Sequence, residues 1–145
     1  MSREDKLKRA SIFRKMALRD KLEASRKRQS LIVLRDELSK NQDVRHKLEN
    51  LIEDAVYPDD VQTGMALHSA SWYNTKVRDQ LEMVANRCIH LDKEVQTIQT
   101  DLARAEQKRA RKQERADELA KEARRAAQDK ADERLAELRT RRSKH

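Results

Sequence analysis

The stretch VYPDDVQTG, residues 56–64, contains the only proline and the only glycine of the 145-residue chain, Pro58 and Gly64. Pro58 has no backbone N–H and disfavours helical geometry at the residue before it, so a preceding helix should end near Val56. Gly64 permits a positive φ in a turn. Three side chains in between can cap the start of a second helix: Asp59, Asp60 and Thr63. The stretch therefore predicts a chain reversal, with a hinge over residues 57–65.

The composition favours long helices over a compact globular domain. Charged residues make up 41% of the chain and aromatic residues only 3%, which leaves too little bulky apolar material for a conventional core. The abundant residue types, Ala, Leu, Glu, Lys, Arg and Gln, are good helix formers.

No targeting or membrane-spanning segment is evident. The N-terminus, MSREDKLKRA, has no apolar stretch, and the longest bulky apolar run is LIVL, residues 31–34. A single cysteine, Cys88, agrees with a reducing compartment. We therefore expect a soluble, cytoplasmic protein.

The second half of the chain has the clearest hydrophobic periodicity. Nine apolar residues follow one another at alternating steps of four and three: Val77, Leu81, Val84, Cys88, Leu91, Val95, Ile98, Leu102 and Ala105. This 3.5-residue period predicts a coiled-coil seam, meaning one apolar stripe that faces a partner helix. The spacing then meets Arg109 and Lys112 before an alanine-rich run: Ala116, Leu119, Ala123 and Ala126. Because alanine buries little area, this part should be weakly held, and residues after about 120 should extend as a single helix.

The first half shows a poorer version of the same pattern. The spacing passes through two polar residues at core positions, Asn41 and Arg45, among six apolar ones: Leu31, Leu34, Leu38, Leu48, Ile52 and Ala55. Polar residues at such positions cost stability and can fix register. Further toward the N-terminus we expect the register to break, since Leu18 and Leu22 occupy a neighbouring stripe while three residues continue the first one: Phe13, Ala17 and Ala24.

These patterns predict an all-α fold, a long antiparallel two-helix coiled-coil hairpin whose second helix is longer than its first. We expect a helix over residues 3–56, the hinge over 57–65 and a helix over 66–142, forming one elongated domain over 1–145. The competing architecture is a parallel dimer that uses the same seam between chains, with the hinge as a stutter.

Charge is unevenly distributed along the chain. Residues 1–55 have a net charge of +5, residues 56–75 of −2, residues 76–105 of zero and residues 106–145 of +5. A hairpin would bring the two basic arms together at its open end and place the acidic hinge at the other. The two ends should therefore meet different partners.

The sequence contains no motif or spacing that indicates catalysis. The four histidines and Cys88 have no metal-ligand spacing, a chain with one glycine has no phosphate-binding loop, and Cys88 lies in the seam. We expect no enzyme, no cofactor, no metal site and no small-molecule substrate.

Two classes of binding protein stay open. The segments KRARKQER, residues 108–115, and RTRRSKH, residues 139–145, could neutralise nucleic-acid phosphates, although acids are interspersed and no aromatic side chain lies among them to stack on bases. A protein-binding or scaffold role uses more of the pattern. Trp72 and Tyr73 then either close the end of the hairpin as a plug or serve as a docking anchor.

The length, the charged two-helix pattern with a Gly-containing hinge before its middle, the segment SASWY at residues 69–73 and the Arg-, Lys-, Glu- and Gln-rich C-terminal arm resemble the FliJ/YscO family of type III export proteins. The likeness covers nearly the whole chain and is one of architecture and composition. It implies a cytoplasmic stalk, peripheral to the inner membrane when assembled, in flagellar biogenesis or virulence-type secretion.

The resemblance also implies partners. The open end would insert into the ring of a hexameric export ATPase, through basic residues chosen by charge and position: Arg9, Arg14, Arg19, Arg124, Arg125 and Arg134. A second surface would engage the membrane export gate or substrate chaperones, through residues beside the hinge: Met65, Leu67, Trp72 and Tyr73.

Overall fold

A computed structural model of the chain describes residues 2–54 and 64–144, which form two helices and, within those ranges, no strand. Helix α1 spans Arg3–Glu53 (51 residues) and helix α2 spans Gly64–Ser143 (80 residues). The two helices pack against each other, which confirms the predicted all-α fold with a longer second helix.

Ion pairs between the helices define their relative direction. Residues progressively later in α1 pair with residues progressively earlier in α2: Lys6 with Glu122, Lys27 with Asp101, and Glu37 with Arg87. The helices are therefore antiparallel within one chain. In the parallel-dimer alternative the seam of each chain would face another chain, whereas here the seams of α1 and α2 in one chain face each other.

The helix ends differ from the predicted ones by a few residues. Helix α1 ends at Glu53 instead of residue 56, and α2 begins at Gly64, two residues earlier than predicted. The assignment of Pro58 to the hinge lies outside the described residues. Gly64 has no positive φ, so the expectation that it supplies a left-handed turn residue was wrong. As the first residue of α2 it has a backbone geometry that any residue can adopt.

Local interactions support both helix termini. The Ser2 hydroxyl accepts a hydrogen bond from the Asp5 N–H at 3.2 Å, which satisfies a backbone donor at the start of α1. Acidic Glu4 and Asp5 occupy the first turn of α1, and basic residues Arg141 and Arg142 occupy the last turn of α2. These charges oppose the partial charges of the helix dipole.

The predicted seam of α2 is the buried face of that helix. All nine positions from Val77 to Ala105 are buried or half-buried, and so are the six that follow at the same spacing, from Arg109 to Ala126. Leu91 and Leu119 have no exposed side-chain surface. The period of 3.5 residues therefore identified the contact face correctly over fifteen consecutive positions.

The seam of α1 is more regular than its sequence suggested. Buried or half-buried residues recur at steps of three and four from Ala10 through Phe13 to Ile52, without the expected break near the N-terminus. Asp20 and Lys27 fill the positions at which no apolar residue was available. Arg45 is the exception: its side chain is exposed and its Nε donates a hydrogen bond to Glu49, so its assignment to the core was wrong.

The chain divides into two compact units. The terminal unit consists of Met1–Arg26 with Leu102–His145, and the middle unit of Lys27–Asp101. Alanine dominates the buried core of the terminal unit. Among the described residues of this unit, Leu119 is the one buried apolar residue larger than alanine. The middle unit buries larger side chains: Leu31, Val77, Cys88, Leu91 and Val95. Because buried apolar area sets the hydrophobic stabilisation, each helical turn of the middle unit contributes more stability than a turn of the terminal unit.

The last part of α2, residues 128–144 of the terminal unit, has no packing partner among the described residues, since every residue in it is exposed. Ala120 and Ala123, just before it, are buried. The single-helix segment expected after about residue 120 therefore begins several residues later. Neither described helix contains an apolar stretch long enough to cross a bilayer.

Candidate partner-binding surfaces

The two units have opposite net charges. The terminal unit contains 24 Lys and Arg against 13 Asp and Glu, a net charge of +11, whereas the middle unit contains 10 against 13, a net charge of −3. The stated charge of the whole chain, +8, is thus the difference between a strongly basic and a weakly acidic part. Exposed groups of one sign on one unit favour binding of oppositely charged partners there.

The six arginines proposed from the sequence all lie in the terminal unit, and all are exposed: Arg9, Arg14, Arg19, Arg124, Arg125 and Arg134. None of them forms a hydrogen bond or an ion pair with another described residue. Other basic residues of the same unit are paired, since Lys6 contacts Glu122 and Lys112 contacts Asp20. The positive charge of the six is therefore not neutralised by the fold in the described ranges.

The four apolar residues proposed beside the hinge lie in the middle unit, along the first turns of α2. Met65 is 84% exposed, Trp72 60%, Leu67 51% and Tyr73 49%. Lys76 Nζ lies 5.7 Å from the centre of the Trp72 ring, a cation–π distance. Neither aromatic side chain is buried, which favours the docking anchor over the plug.

A polar contact interrupts the alanine core of the terminal unit. Lys112 Nζ donates a hydrogen bond of 2.6 Å to Asp20 Oδ2, and both residues occupy seam positions. The sequence reasoning identified Lys112 in the seam and missed Asp20, because it expected the register of the first helix to break. The available signal was spacing: Asp20 lies three residues after Ala17 and four before Ala24.

A second polar contact joins the helices in the middle unit. Arg87 Nη2 lies 2.6 Å from Glu37 Oε1. This hydrogen bond, together with the negative charge of Glu37, raises the pKa of Arg87 above its usual value. Arg87 therefore remains a cation, and its contact with Glu37 is a structural ion pair at the edge of the seam.

The outer face of α1 contains a groove that the sequence reasoning did not identify as a site. Six residues of the terminal unit line it: Lys15, Leu18, Arg19, Leu22, Glu23 and Arg26. Leu18 and Leu22 are both more than half exposed. The sequence shows two leucines one turn apart, off the seam and among basic residues, but off-seam leucines are common on long helices and do not by themselves indicate a site.

Cys88 is buried in the seam, and His90 Nε2 lies 2.7 Å from Glu94 Oε1 on the same helix. Within residues 2–54 and 64–144, no three His, Cys, Asp or Glu side chains are grouped to hold a metal ion. No family model matches the chain, and neither a curated protein nor a solved structure matches it.

Proposed function

We propose that this protein is a non-enzymatic coiled-coil stalk or adaptor of a type III protein export apparatus, as its resemblance to the FliJ/YscO family implies. The observation that supports the proposal most is the unpaired positive charge of the terminal unit, which contains both arms of the predicted open end. A two-helix coiled coil with an exposed basic surface is suited to binding a larger acidic protein.

In this proposal the terminal unit inserts into the ring of a hexameric export ATPase. Its six unpaired arginines meet acidic side chains that line the ring. Since all six are exposed, contact with the ring does not require the seam to open. Contacts of this kind raise association rates and weaken as salt increases.

The middle unit supplies the second contact in the proposal, to the membrane export gate or to substrate chaperones. Trp72 and Tyr73 are large, exposed side chains on a chain that has only 3% aromatic residues. Exposed aromatic residues frequently provide most of the binding energy of an interface. The protein then acts in the cytoplasm, at the inner membrane when assembled.

Co-purification and ATPase stimulation test this proposal. The full chain is expected to co-purify with a hexameric export ATPase at low salt and to raise its rate of ATP hydrolysis. Charge reversal of Arg9, Arg14 and Arg19 to Glu should remove both effects. A matched control reverses three exposed, unpaired basic residues of the middle unit: Arg35, Lys47 and Arg78. Absence of association by the unchanged protein at low salt would refute the export assignment.

The net charge of +11 in the terminal unit favours one second candidate, a nucleic-acid-binding coiled coil. Neutralised phosphates would release counterions, so the logarithm of the binding constant should fall with the logarithm of salt by about 0.9 per phosphate contacted. A gel-shift assay over a range of salt measures that slope. No shift at physiological salt excludes this candidate.

A further inference from the structure

The groove on the outer face of α1 has the spacing of a short second seam. Lys15, Leu18, Leu22 and Arg26 follow one another at steps of three, four and four, so their side chains lie on one face of the helix. Leu18 and Leu22 are more than half exposed, whereas the seam residues Ala17 and Ala24 are buried, so this face points away from the seam. It therefore remains accessible when α1 and α2 are paired.

The charges around the groove have no partners in the described part of the chain. Lys15, Arg19 and Arg26 surround the two leucines, and Glu23 is the one acidic residue that lines the groove. None of these four forms a hydrogen bond or an ion pair with another residue of 2–54 or 64–144. The groove thus combines an apolar centre with an excess of two unneutralised positive charges.

We propose that this groove binds an acidic amphipathic helix of a partner protein, which packs on Leu18 and Leu22 as a third helix beside the pair. Apolar side chains of the partner, spaced three and four residues apart, contact the two leucines. Its carboxylates face Lys15, Arg19 and Arg26. The inference goes beyond the export assignment, since it defines the partner by chemistry and applies whatever assembly that partner belongs to.

The width of the apolar strip favours a helix over a membrane surface. A helix that lies in a bilayer interface needs an apolar face about 100° wide or more. Here charged residues border the strip on both sides, since Lys21 precedes Leu22 and Glu23 follows it, and successive residues lie about 100° apart around a helix. A strip one residue wide matches the contact that one helix makes with another.

Binding of a designed peptide to the full-length chain tests the proposal. The probe is a synthetic, fluorescently labelled helix of about 20 residues, with leucines at alternating third and fourth positions and glutamates beside them. A peptide of identical composition with the leucines out of helical register is the control. We expect saturable binding of the first peptide, seen by fluorescence anisotropy, which weakens as salt rises.

Paired variants locate the binding site. Leu18→Gln with Leu22→Gln is expected to lower the affinity at least about tenfold. Ile32→Gln with Val33→Gln, an equally exposed apolar pair on α1 in the middle unit, is expected to leave it unchanged. Because all four side chains are more than half exposed, both variants should keep the helical content of the parent, checked by circular dichroism.

Three results would overturn the proposal. The first is no binding of the designed peptide at concentrations up to about 1 mM. The second is equal binding of the out-of-register peptide, or an equal loss of affinity in both paired variants. The third is co-sedimentation with phosphatidylserine-containing vesicles that depends on Leu18 and Leu22 when the peptide does not bind, which would assign the surface to membranes.

Discussion

Lys112 Nζ lies 2.6 Å from Asp20 Oδ2, and the two residues face each other across the seam that joins α1 and α2. The Asp20 side chain is only 10% exposed and that of Lys112 26%. Removing two such charges from water costs about as much as their attraction returns, so the pair contributes little net stability. We expect its effect to be on register, because sliding one helix by a turn would place Lys112 against Ala17 or Ala24, the seam residues on either side of Asp20.

Replacing one member of the pair should destabilise the protein. Asp20→Ala leaves the Lys112 ammonium unpaired in the seam, and we expect the free energy of unfolding to fall by about 1 to 3 kcal/mol. Urea unfolding followed by circular dichroism measures the change. The control is Asp36→Ala, which removes an exposed pair with Lys40 and should cost less than about 0.5 kcal/mol. Equal losses would show that the Asp20 contact has no special role.

Replacing both members should have the opposite effect on stability. With Asp20→Leu and Lys112→Leu the seam becomes apolar, and we expect the free energy of unfolding to rise by about 1 to 4 kcal/mol. The register should become less unique, so a bifunctional thiol crosslinker should join cysteines placed at Glu37 and Arg87, which pair in the parent protein, less selectively. Sedimentation equilibrium reports any new association between chains. A variant that is more stable and still forms one register would contradict the role in register.

The extent to which the sequence predicted the fold depends on the residue types at the seam. In α2 nearly every seam position is apolar, so the period alone identified the contact face. In α1 two seam positions hold Asp20 and Lys27, which hydropathy scores as surface residues. Only their partners on α2, Lys112 and Asp101, explain why these two charged residues lie in the seam. Such pairs cannot be identified from the sequence until the antiparallel alignment of the two helices is known.

The candidate surfaces were predictable to different degrees. The six arginines and the hinge-side aromatics could be selected by charge and rarity, and the structure places them in different units. The groove at Leu18 and Leu22 could not be selected, because an off-stripe leucine on a long helix is common. What distinguishes it is the absence of partners for Lys15, Arg19 and Arg26 in the described ranges, which depends on tertiary structure.

The middle unit should depend on its leucine core. Leu91 is fully buried, so Leu91→Ala removes its packing and leaves a cavity, which should lower the free energy of unfolding by about 2 to 5 kcal/mol. Leu138→Ala is the matched control, since Leu138 lies in the exposed end of α2 and should cost less than about 0.5 kcal/mol. Thermal unfolding of both variants checks the difference. Similar midpoints would mean that residue 91 is not in the core.

Gly64 should tolerate a side chain. Its φ is not positive, and a Cβ built on it meets no atom within 4 Å. Gly64→Ala is therefore expected to stabilise the protein by up to about 0.5 kcal/mol, less than in a helix interior because this residue is the first of α2. The midpoint of thermal unfolding measures the change. A loss of more than about 1 kcal/mol would show that the backbone at residue 64 needs glycine.

Trp72 is the only tryptophan and provides an intrinsic probe of its own surface. With 60% of the residue exposed, its fluorescence should resemble that of a solvated indole and be quenched efficiently by acrylamide. Trp72→Ala should change the free energy of unfolding by less than about 0.5 kcal/mol, since it removes little buried contact. Binding of a gate or chaperone partner to this surface should shift the emission to shorter wavelength and protect it from acrylamide, with no such change for a partner that binds the terminal unit. Emission typical of a buried indole in the isolated protein would contradict the exposed docking anchor and restore the plug.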